Sequence, residues 1–133
     1  MDLEQGYEWL SRARTIDFQI KDKIIYIDSL YNCCGLQGIA YDRISVMNSP
    51  ENKFERIMAE IDQEKRELEK LRKRKETVIH EIKDKIDTLS PAPEKTILMG
   101  YFIGCKDMKE ISREIKYELK YCYKLRKKGI RKL

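Results

Sequence analysis

A heptad register runs unbroken from Phe54 to Leu89 and largely dictates how this chain can fold. Its seam positions are separated by alternating steps of three and four residues, a spacing that places side chains along one stripe of an α-helix. The seam residues are, in order, Phe54, Ile57, Ile61, Glu64, Leu68, Leu71, Lys75, Val78, Ile82, Lys85 and Leu89. This register predicts a single long helix, whose apolar stripe needs at least one further helix to cover it.

A second helical pattern precedes the long repeat and covers residues 7–34. Gly35 favours an end to this helix, and Ser49 before Pro50 favours the start of the next one. The apolar stripe of the first pattern contains Ala13, Ile16, Ile20, Ile24, Ile27 and Tyr31, with Lys23 among the residues left outside it. We therefore predict a long helical coiled-coil hairpin over residues 1–90, with helices at about 7–34 and 51–89 and a loop at 35–50.

Charged residues occupy three seam positions of the long helix, at Glu64, Lys75 and Lys85. Ile86 can take the place of Lys85 in the seam, so Glu64 and Lys75 are the two real interruptions. Polar seam residues lower the stability of a coiled coil but select its register and partner. Since the first helix is shorter than the second, part of the seam is left for another chain. The pattern therefore predicts a homodimer, and it leaves open whether the long helix pairs within or between chains. The residues expected at the contact are Ile57, Ile61, Leu68, Leu71, Val78 and Ile82.

Composition agrees with an all-α fold. Pro and Gly together account for nine residues and charged side chains for 38% of the chain, a balance that disfavours a β-rich structure. No apolar run approaches the roughly 20 residues of a membrane span, and the first residues lack the pattern of a signal peptide. We therefore expect a cytoplasmic protein with no membrane contact, in which the four cysteines are reduced.

The segment Ser90-Pro91-Ala92-Pro93 ends the long helix, because proline lacks an amide donor and disfavours helical geometry in the residue before it. A separate domain of residues 91–133 is predicted to follow, with helices at 94–103, 107–115 and about 118–132. Asp107 is a suitable N-cap, with Glu110 three residues later. Ser112 supplies a small side chain where a following helix can cross.

The last helix carries the basic character of the chain. Residues 116–133 hold eight Lys or Arg and one acid, a net charge of +7, whereas the whole chain carries +5. Placed on a helix, they form two opposite stripes, one of Lys120, Lys124, Lys127 and Arg131 and one of Cys122, Leu125, Gly129 and Leu133. One face can therefore pack on a core while the other presents cations. A solvated surface helix is the alternative explanation of such a stripe.

Three groups of residues give this region a wider resemblance. They are Tyr101-Phe102-Ile103-Gly104, the run from Lys109 to Ile115, and the set Cys122, Leu125, Gly129, Ile130 and Leu133. In these residues the region resembles the C-terminal helix-turn-helix of sigma factors, region four. It departs from that pattern at Ser112 for Ala, Lys116 for the turn Gly, Glu118 for the capping Ser and Cys122 for Val. The resemblance implies a helix-turn-helix DNA-binding domain and makes RNA polymerase a candidate partner.

The resemblance extends towards the N-terminus. Arg12-Ala13-Arg14, then Ile16-Asp17, and later Val46 before Ser49-Pro50 precede the long helix. Together with the terminal domain, these features resemble a family of small phage and prophage proteins that are described as late-gene or packaging-region transcriptional regulators. Membership would imply sequence-directed regulation in the cytoplasm of a bacterial host cell, in association with the nucleoid.

As a recognition helix, residues 118–132 are expected to enter the major groove of double-stranded DNA with their first turns facing the bases. The predicted DNA contacts are Lys116, Tyr117, Lys120, Tyr121, Lys124, Lys127, Lys128 and Arg131. Phosphate contacts by these cations are expected to supply most of the affinity. The helix contains no Asn or Gln and few Arg, the usual bidentate readers of bases, which predicts modest reading of base edges.

The chain shows no pattern typical of catalysis. It has no glycine-rich phosphate loop, nucleophile motif or metal-ligand spacing, and its one histidine, His80, lies among Lys and Glu of the long helix. We expect no enzymatic activity, no metal and no cofactor. Two alternatives to a dimeric regulator remain open: a DNA-packaging recognition subunit of the small-terminase type, and a coiled-coil adaptor whose basic end meets an acidic protein.

Overall fold

The computed structural model describes residues 2–33 and 50–133, and this described part of the chain is all-helical. Six α-helices and one π-helical segment follow each other along the sequence. They are α1 (Leu3–Leu10), α2 (Arg12–Cys33), α3 (Pro50–Ile86), α4 (Pro93–Leu98), the π-helical segment (Met99–Ile103), α5 (Met108–Ile115) and α6 (Leu119–Lys132). Apart from Pro50, the loop expected at 35–50 lies outside the described residues.

The helices differ from the predicted ones mainly at their ends. The pattern over 7–34 forms two helices, α1 and α2, which meet at Ser11. The long helix ends at Ile86 instead of Leu89, because the chain tightens there: the Leu89 amide donates to the Ile86 carbonyl at 2.9 Å. The segment predicted at 94–103 is α4 continued by the π-helical segment.

The chain divides into two compact units. One contains residues up to Asp17 together with Arg74–Leu133, and the other contains Phe18–Lys73. This grouping differs from the predicted division after residue 90, because α1 and the first residues of α2 pack with the C-terminal helices. Both α2 and α3 contribute residues to each unit.

In the unit of residues 18–73, α2 and α3 run antiparallel. The Lys23 ammonium lies 2.6 Å from the carboxylate of Glu64 and 2.8 Å from that of Glu67. Farther along α2, the Tyr26 hydroxyl donates to the carboxylate of Glu60, which lies earlier on α3. Among the residues of this unit that the structure describes, the buried apolar side chains are Ile20, Ile27, Leu30, Ile61 and Leu68.

The buried stripe of α2 differs from the predicted one at two positions. Ile24 is 37% exposed, and Leu30 is buried where Tyr31 was expected. The reason is the heptad register, which steps from Ile20 to Lys23 and thus places Lys23 in the seam. Lys23 therefore faces Glu64, one of the charged seam residues of α3.

The same arrangement occurs in the other unit. Lys75, a second charged seam residue of α3, lies 2.8 Å from the carboxylate of Asp17. Arg12 at the start of α2 donates to Glu81 near the end of α3 at 2.9 Å. The polar interruptions at Glu64 and Lys75 thus have partners of opposite charge within the chain.

The residues predicted to join two chains are largely used within one. Ile61, Leu68, Val78 and Ile82 are buried in the single chain, whereas Ile57 and Leu71 are half-buried. These four buried side chains cannot reach a second copy unless α2 and α3 separate. The seam of α3 is therefore not an open oligomerisation surface, because α2 already covers it.

The core of the larger unit collects side chains from both ends of the chain. Leu10, Ala13 and Ile16 are buried at its N-terminal side. One cluster joins α4, α5 and α6 and contains Ile97, Met108, Ile111, Cys122 and Leu125. The remaining buried apolar residues of this unit are Val78, Ile82, Ile86, Leu98, Phe102 and Ile130. Among the described helices, none combines the length and apolar character needed to cross a lipid bilayer.

Candidate nucleic-acid interface

A short turn between α5 and α6 sets the direction of the basic helix. Asp107 caps α5 as expected, since its carboxylate accepts a hydrogen bond of 2.7 Å from the Glu110 amide. At the other end of α5, Lys116 has a left-handed backbone with φ 61° and ψ 37°. Lys116 is the residue that replaces the turn glycine of the sigma-like pattern. Its conformation is the one that such a glycine adopts at a helix C-terminus.

Ser112 stabilises the same turn through two hydrogen bonds to Tyr117. The Tyr117 amide donates to the Ser112 carbonyl at 3.2 Å, and the Ser112 hydroxyl donates to the Tyr117 carbonyl. The small side chain expected at the helix crossing therefore also bonds across the turn. Because both hydrogen bonds span α5 and the residues before α6, they hold the start of α6 in place.

The inner face of α6 is formed by small and apolar side chains. Cys122, Leu125, Gly129 and Ile130 are buried, and Leu133 is half-buried. Gly129 lies at a close approach to α4, where an added Cβ would stand 3.0 Å from the Leu98 side chain. This packing determines which face of α6 points outward.

The outer face of α6 and the turn before it together contain every residue that was predicted to contact DNA. All of them are exposed: Lys116, Tyr117, Lys120, Tyr121, Lys124, Lys127, Lys128 and Arg131. The rings of Tyr117 and Tyr121 lie 5.7 Å apart and retain exposures of 39% and 50%. The outer face of α6 therefore presents cations along its length, and the phenol groups of Tyr117 and Tyr121 lie near its start.

Two lysines of this helix also neutralise a buried acid. Glu94 of α4 is buried, and its carboxylate lies 3.4 Å from the Lys132 ammonium and 3.9 Å from the Lys128 ammonium. The backbone amide of Glu94 and these cations lower the pKa of its carboxyl group. Within the described chain, no ion pair engages Lys120, Lys124 or Arg131. Those three cations are therefore more available to phosphate than Lys128 is.

Arg126 has a role that the sequence did not reveal. Its guanidinium lies over three tyrosine rings, at 5.2 Å from Tyr7, 4.8 Å from Tyr101 and 5.0 Å from Tyr123. Its Nε atom is buried and has no hydrogen-bond partner in the described chain, so the rings are its main contacts. Arg126 therefore anchors α6 to α1 instead of facing outward.

A second arginine contacts the same group of tyrosine rings. Arg14 of α2 stacks at 4.0 Å over the ring of Tyr101 and donates to the carbonyls of Tyr101 and Lys106, at 2.9 and 3.2 Å. The hydroxyls of Tyr7 and Tyr101 lie 3.1 Å apart, and this hydrogen bond raises the pKa of Tyr7. No local pattern could have shown these contacts, because the partners lie about 90 positions apart.

An open cleft of about 620 Å³ separates α1 from the later part of α6. Its lining combines apolar and charged side chains and consists of Asp2, Leu3, Glu4, Tyr7, Glu8, Arg126, Lys127 and Ile130. Three carboxylates of the N-terminal segment therefore share this cleft with Lys127, one of the predicted phosphate contacts.

The described residues contain no group of three or more His, Cys, Asp or Glu side chains arranged as metal ligands. His80 is exposed on α3, while Cys33, Cys105 and Cys122 are unbridged. Comparison of the chain with protein-family models, with curated proteins and with solved structures finds no match.

Proposed function

We propose that this protein is a DNA-binding transcriptional regulator of the phage or prophage type, in which α5 and α6 form a helix-turn-helix. The main support is the two-sided character of α6. One face is buried against α4 and α5, and the opposite face carries only exposed cations and tyrosines. The left-handed turn at Lys116 supports the same assignment, because the sigma-like pattern requires such a turn at this position.

In this proposal α2 and α3 form a coiled-coil hairpin, and α4 to α6 form the DNA-binding part. The pairs Lys23–Glu64 and Asp17–Lys75 support the hairpin, since together they show that the two helices run antiparallel. The sigma-like pattern makes RNA polymerase a further proposed partner. The regulator acts in the cytoplasm of a bacterial host, on promoter or operator DNA, as a homodimer.

Recognition begins with phosphate attraction. Lys120, Tyr121 and Lys124 occupy the first turns of α6 and reach base edges and the nearest phosphates, while Lys127 and Arg131 reach phosphates farther along. Each neutralised phosphate contributes about −0.9 to the slope of log affinity against log salt concentration, so four contacts give a slope of roughly −4. Because bidentate base readers are absent from α6, much of the selectivity comes from DNA shape and from the spacing of two sites.

The decisive experiment removes the two exposed lysines of the first turns. We expect Lys120→Ala combined with Lys124→Ala to weaken binding to duplex DNA by about 10- to 100-fold near 0.1 M salt and to reduce the salt slope by about 2. Fluorescence anisotropy with labelled DNA across a salt series measures both quantities.

The matched control is Arg66→Ala combined with Lys70→Ala on α3. These residues are also exposed and also four positions apart, so the charge change and the helical geometry are the same. If both double variants lose affinity equally, α6 is not the recognition helix. If the unmodified chain leaves DNA anisotropy unchanged at low salt, the proposed function fails.

A further inference from the structure

Two large apolar side chains stand out on the outer surface of α2. Ile25 is 67% exposed and Phe18 is 58% exposed, the highest values among the large apolar residues that the structure describes. They are seven positions apart, so they lie on one stripe of the helix, about 10 Å from each other along its axis. Ile24 and Tyr26 extend the apolar surface on either side of Ile25 and are also exposed.

This surface lies away from the seam that holds α2 and α3 together. The seam positions of this part of α2 are Ile20, Lys23, Ile27 and Leu30, and all of them are buried or half-buried. Phe18 and Ile25 contribute nothing to that core. Together with Ile24 and Tyr26 they form an exposed apolar patch, and patches of this kind, unlike single exposed residues, mark contact surfaces.

The residues between them make the surface complementary to itself. Lys21 and Asp22 are adjacent, exposed and of opposite charge, and they lie midway between Phe18 and Ile25, with the Lys21 ammonium 5.7 Å from the centroid of the Phe18 ring of the same helix. If two α2 helices pack antiparallel about a twofold axis between these positions, Phe18 of each copy meets Ile25 of the other. Lys21 of each copy then meets Asp22 of the other, and every contact occurs twice.

A parallel arrangement lacks this match. It places Lys21 beside Lys21 and Asp22 beside Asp22, which brings like charges together in both places. The charge order therefore favours one orientation, which is the antiparallel one. A partner of different sequence would have no reason to reproduce this symmetry.

We propose that a second copy of this chain covers the outer face of α2, in an antiparallel contact centred between Lys21 and Asp22. The contact rests on the proposed function, in which the regulator is a homodimer. It supplies the dimer interface that the buried seam of α3 cannot supply. The exposed apolar area amounts to a few hundred Å² per copy, below the roughly 800 Å² per partner of a stable interface. The contact is therefore weak in solution and strengthens when two copies bind neighbouring DNA sites.

Sedimentation of the full chain over a concentration series tests the contact without DNA. We expect a monomer–dimer equilibrium with a micromolar Kd, which Ile25→Asp weakens by at least about 10-fold. We expect circular dichroism and the melting temperature to show that the Ile25→Asp variant still folds, because residue 25 lies outside the core. A chain that stays monomeric up to about 100 μM, or a dimer that Ile25→Asp leaves intact, overturns the proposal.

Charge reversal identifies the orientation. We expect Lys21→Asp and Asp22→Lys each to weaken dimerisation by about 3- to 10-fold, because like charges then face each other across the twofold axis. The double variant restores both opposite-charge contacts with reversed sign and is expected to recover most of the affinity. Failure of the double variant to recover overturns the antiparallel contact.

Binding to DNA with two adjacent sites separates this inference from the proposed function. We expect Ile25→Asp to abolish cooperativity while leaving the affinity for a single site within about twofold. Loss of single-site binding in the unmodified chain contradicts the DNA-binding proposal but not the dimer. An assembly of eight or more copies that Ile25→Asp leaves unchanged contradicts the dimer and indicates a packaging subunit.

Discussion

Lys116 occupies a backbone position that glycine fills at lower energy. A side chain with a Cβ atom in the left-handed region costs about 1 kcal/mol, which glycine avoids. We expect Lys116→Gly to increase the free energy of unfolding by about 0.5–1 kcal/mol and to raise the melting temperature by a few degrees. Thermal and denaturant unfolding of the full chain measure the change.

Lys124→Gly is the matched control for that substitution. It makes the same chemical change inside α6, where helical geometry is required, and is expected to lower stability by about 1 kcal/mol. Opposite signs at the two positions show that backbone conformation, and not the loss of a lysine, determines the effect. Destabilisation by Lys116→Gly contradicts the left-handed turn.

Single residues also show where local patterns stop being informative. Ile24 is more hydrophobic than Lys23, so the pattern assigned Ile24 to the core. The heptad register instead places Lys23 in the seam, where Glu64 compensates its charge. Arg126 resembles its basic neighbours in sequence, yet it lies among three tyrosine rings. In both cases the contacting residues are far away in the sequence, so local composition cannot identify them.

Helices α2 and α3 select each other through charge as well as apolar contact. Glu64 and Lys75 interrupt the seam of α3, and α2 offers Lys23 and Asp17 in the opposite order. The sequence was sufficient to identify both polar interruptions and their selecting role. It was not sufficient to decide between pairing within and between chains, because a helix from either source satisfies the same repeat.

Helix α1 brings negative charge to the edge of the basic surface. Asp2, Glu4 and Glu8 line the cleft that also contains Lys127. We expect Asp2→Asn, Glu4→Gln and Glu8→Gln in combination to tighten DNA binding by about 3- to 10-fold at low salt, because carboxylates beside a phosphate contact repel DNA. The gain should disappear near 1 M salt, where charges are screened within about 3 Å.

Three exposed acids of α3 provide the comparison for that variant. Glu55→Gln, Asp62→Asn and Glu69→Gln make the same change in net charge at positions of the unit of residues 18–73. Anisotropy titrations at several salt concentrations distinguish the two sets. An equal gain from both sets indicates that net charge acts and that the position of α1 does not.

The whole molecule is organised differently from its sequence order. Residues up to Asp17 belong to the same compact unit as the basic helix, so the C-terminal helices are incomplete without them. We expect deletion of residues 1–11 to lower the melting temperature by at least several degrees, since it removes the buried Leu10 and the ring of Tyr7. An unchanged melting temperature contradicts the docking of α1.

A second deletion tests whether the loss is specific to α1. Removal of residues 130–133 shortens α6 at its C-terminal end and eliminates one buried side chain, Ile130. We expect it to reduce stability as well but to leave the tyrosine cluster around Arg126 intact. Near-ultraviolet circular dichroism, which reports on ordered tyrosines, separates the two deletions.

Much of the architecture follows from periodicity alone. The all-helical class, the proline break and the outward position of all eight predicted DNA contacts are evident in the order of apolar and charged residues, because helical spacing determines which side chains share a face. The docking of α1 and the closed seam of α3 are not evident from this order, since both depend on contacts between distant residues. The predicted division after residue 90 depended on local composition, which changes there, and not on contacts.

The joining of the first and last helices has a consequence for the newly made chain. Tyr7 and Tyr101 are 94 positions apart. At roughly 5–20 residues per second, a ribosome completes that interval in about 5–20 s. During this time the partners of α1 at Tyr101 and on α6 are not yet made, and its apolar side chains are available to chaperones or to neighbouring nascent chains. The contacts between α1 and α6 can therefore form only after α6 has left the ribosome.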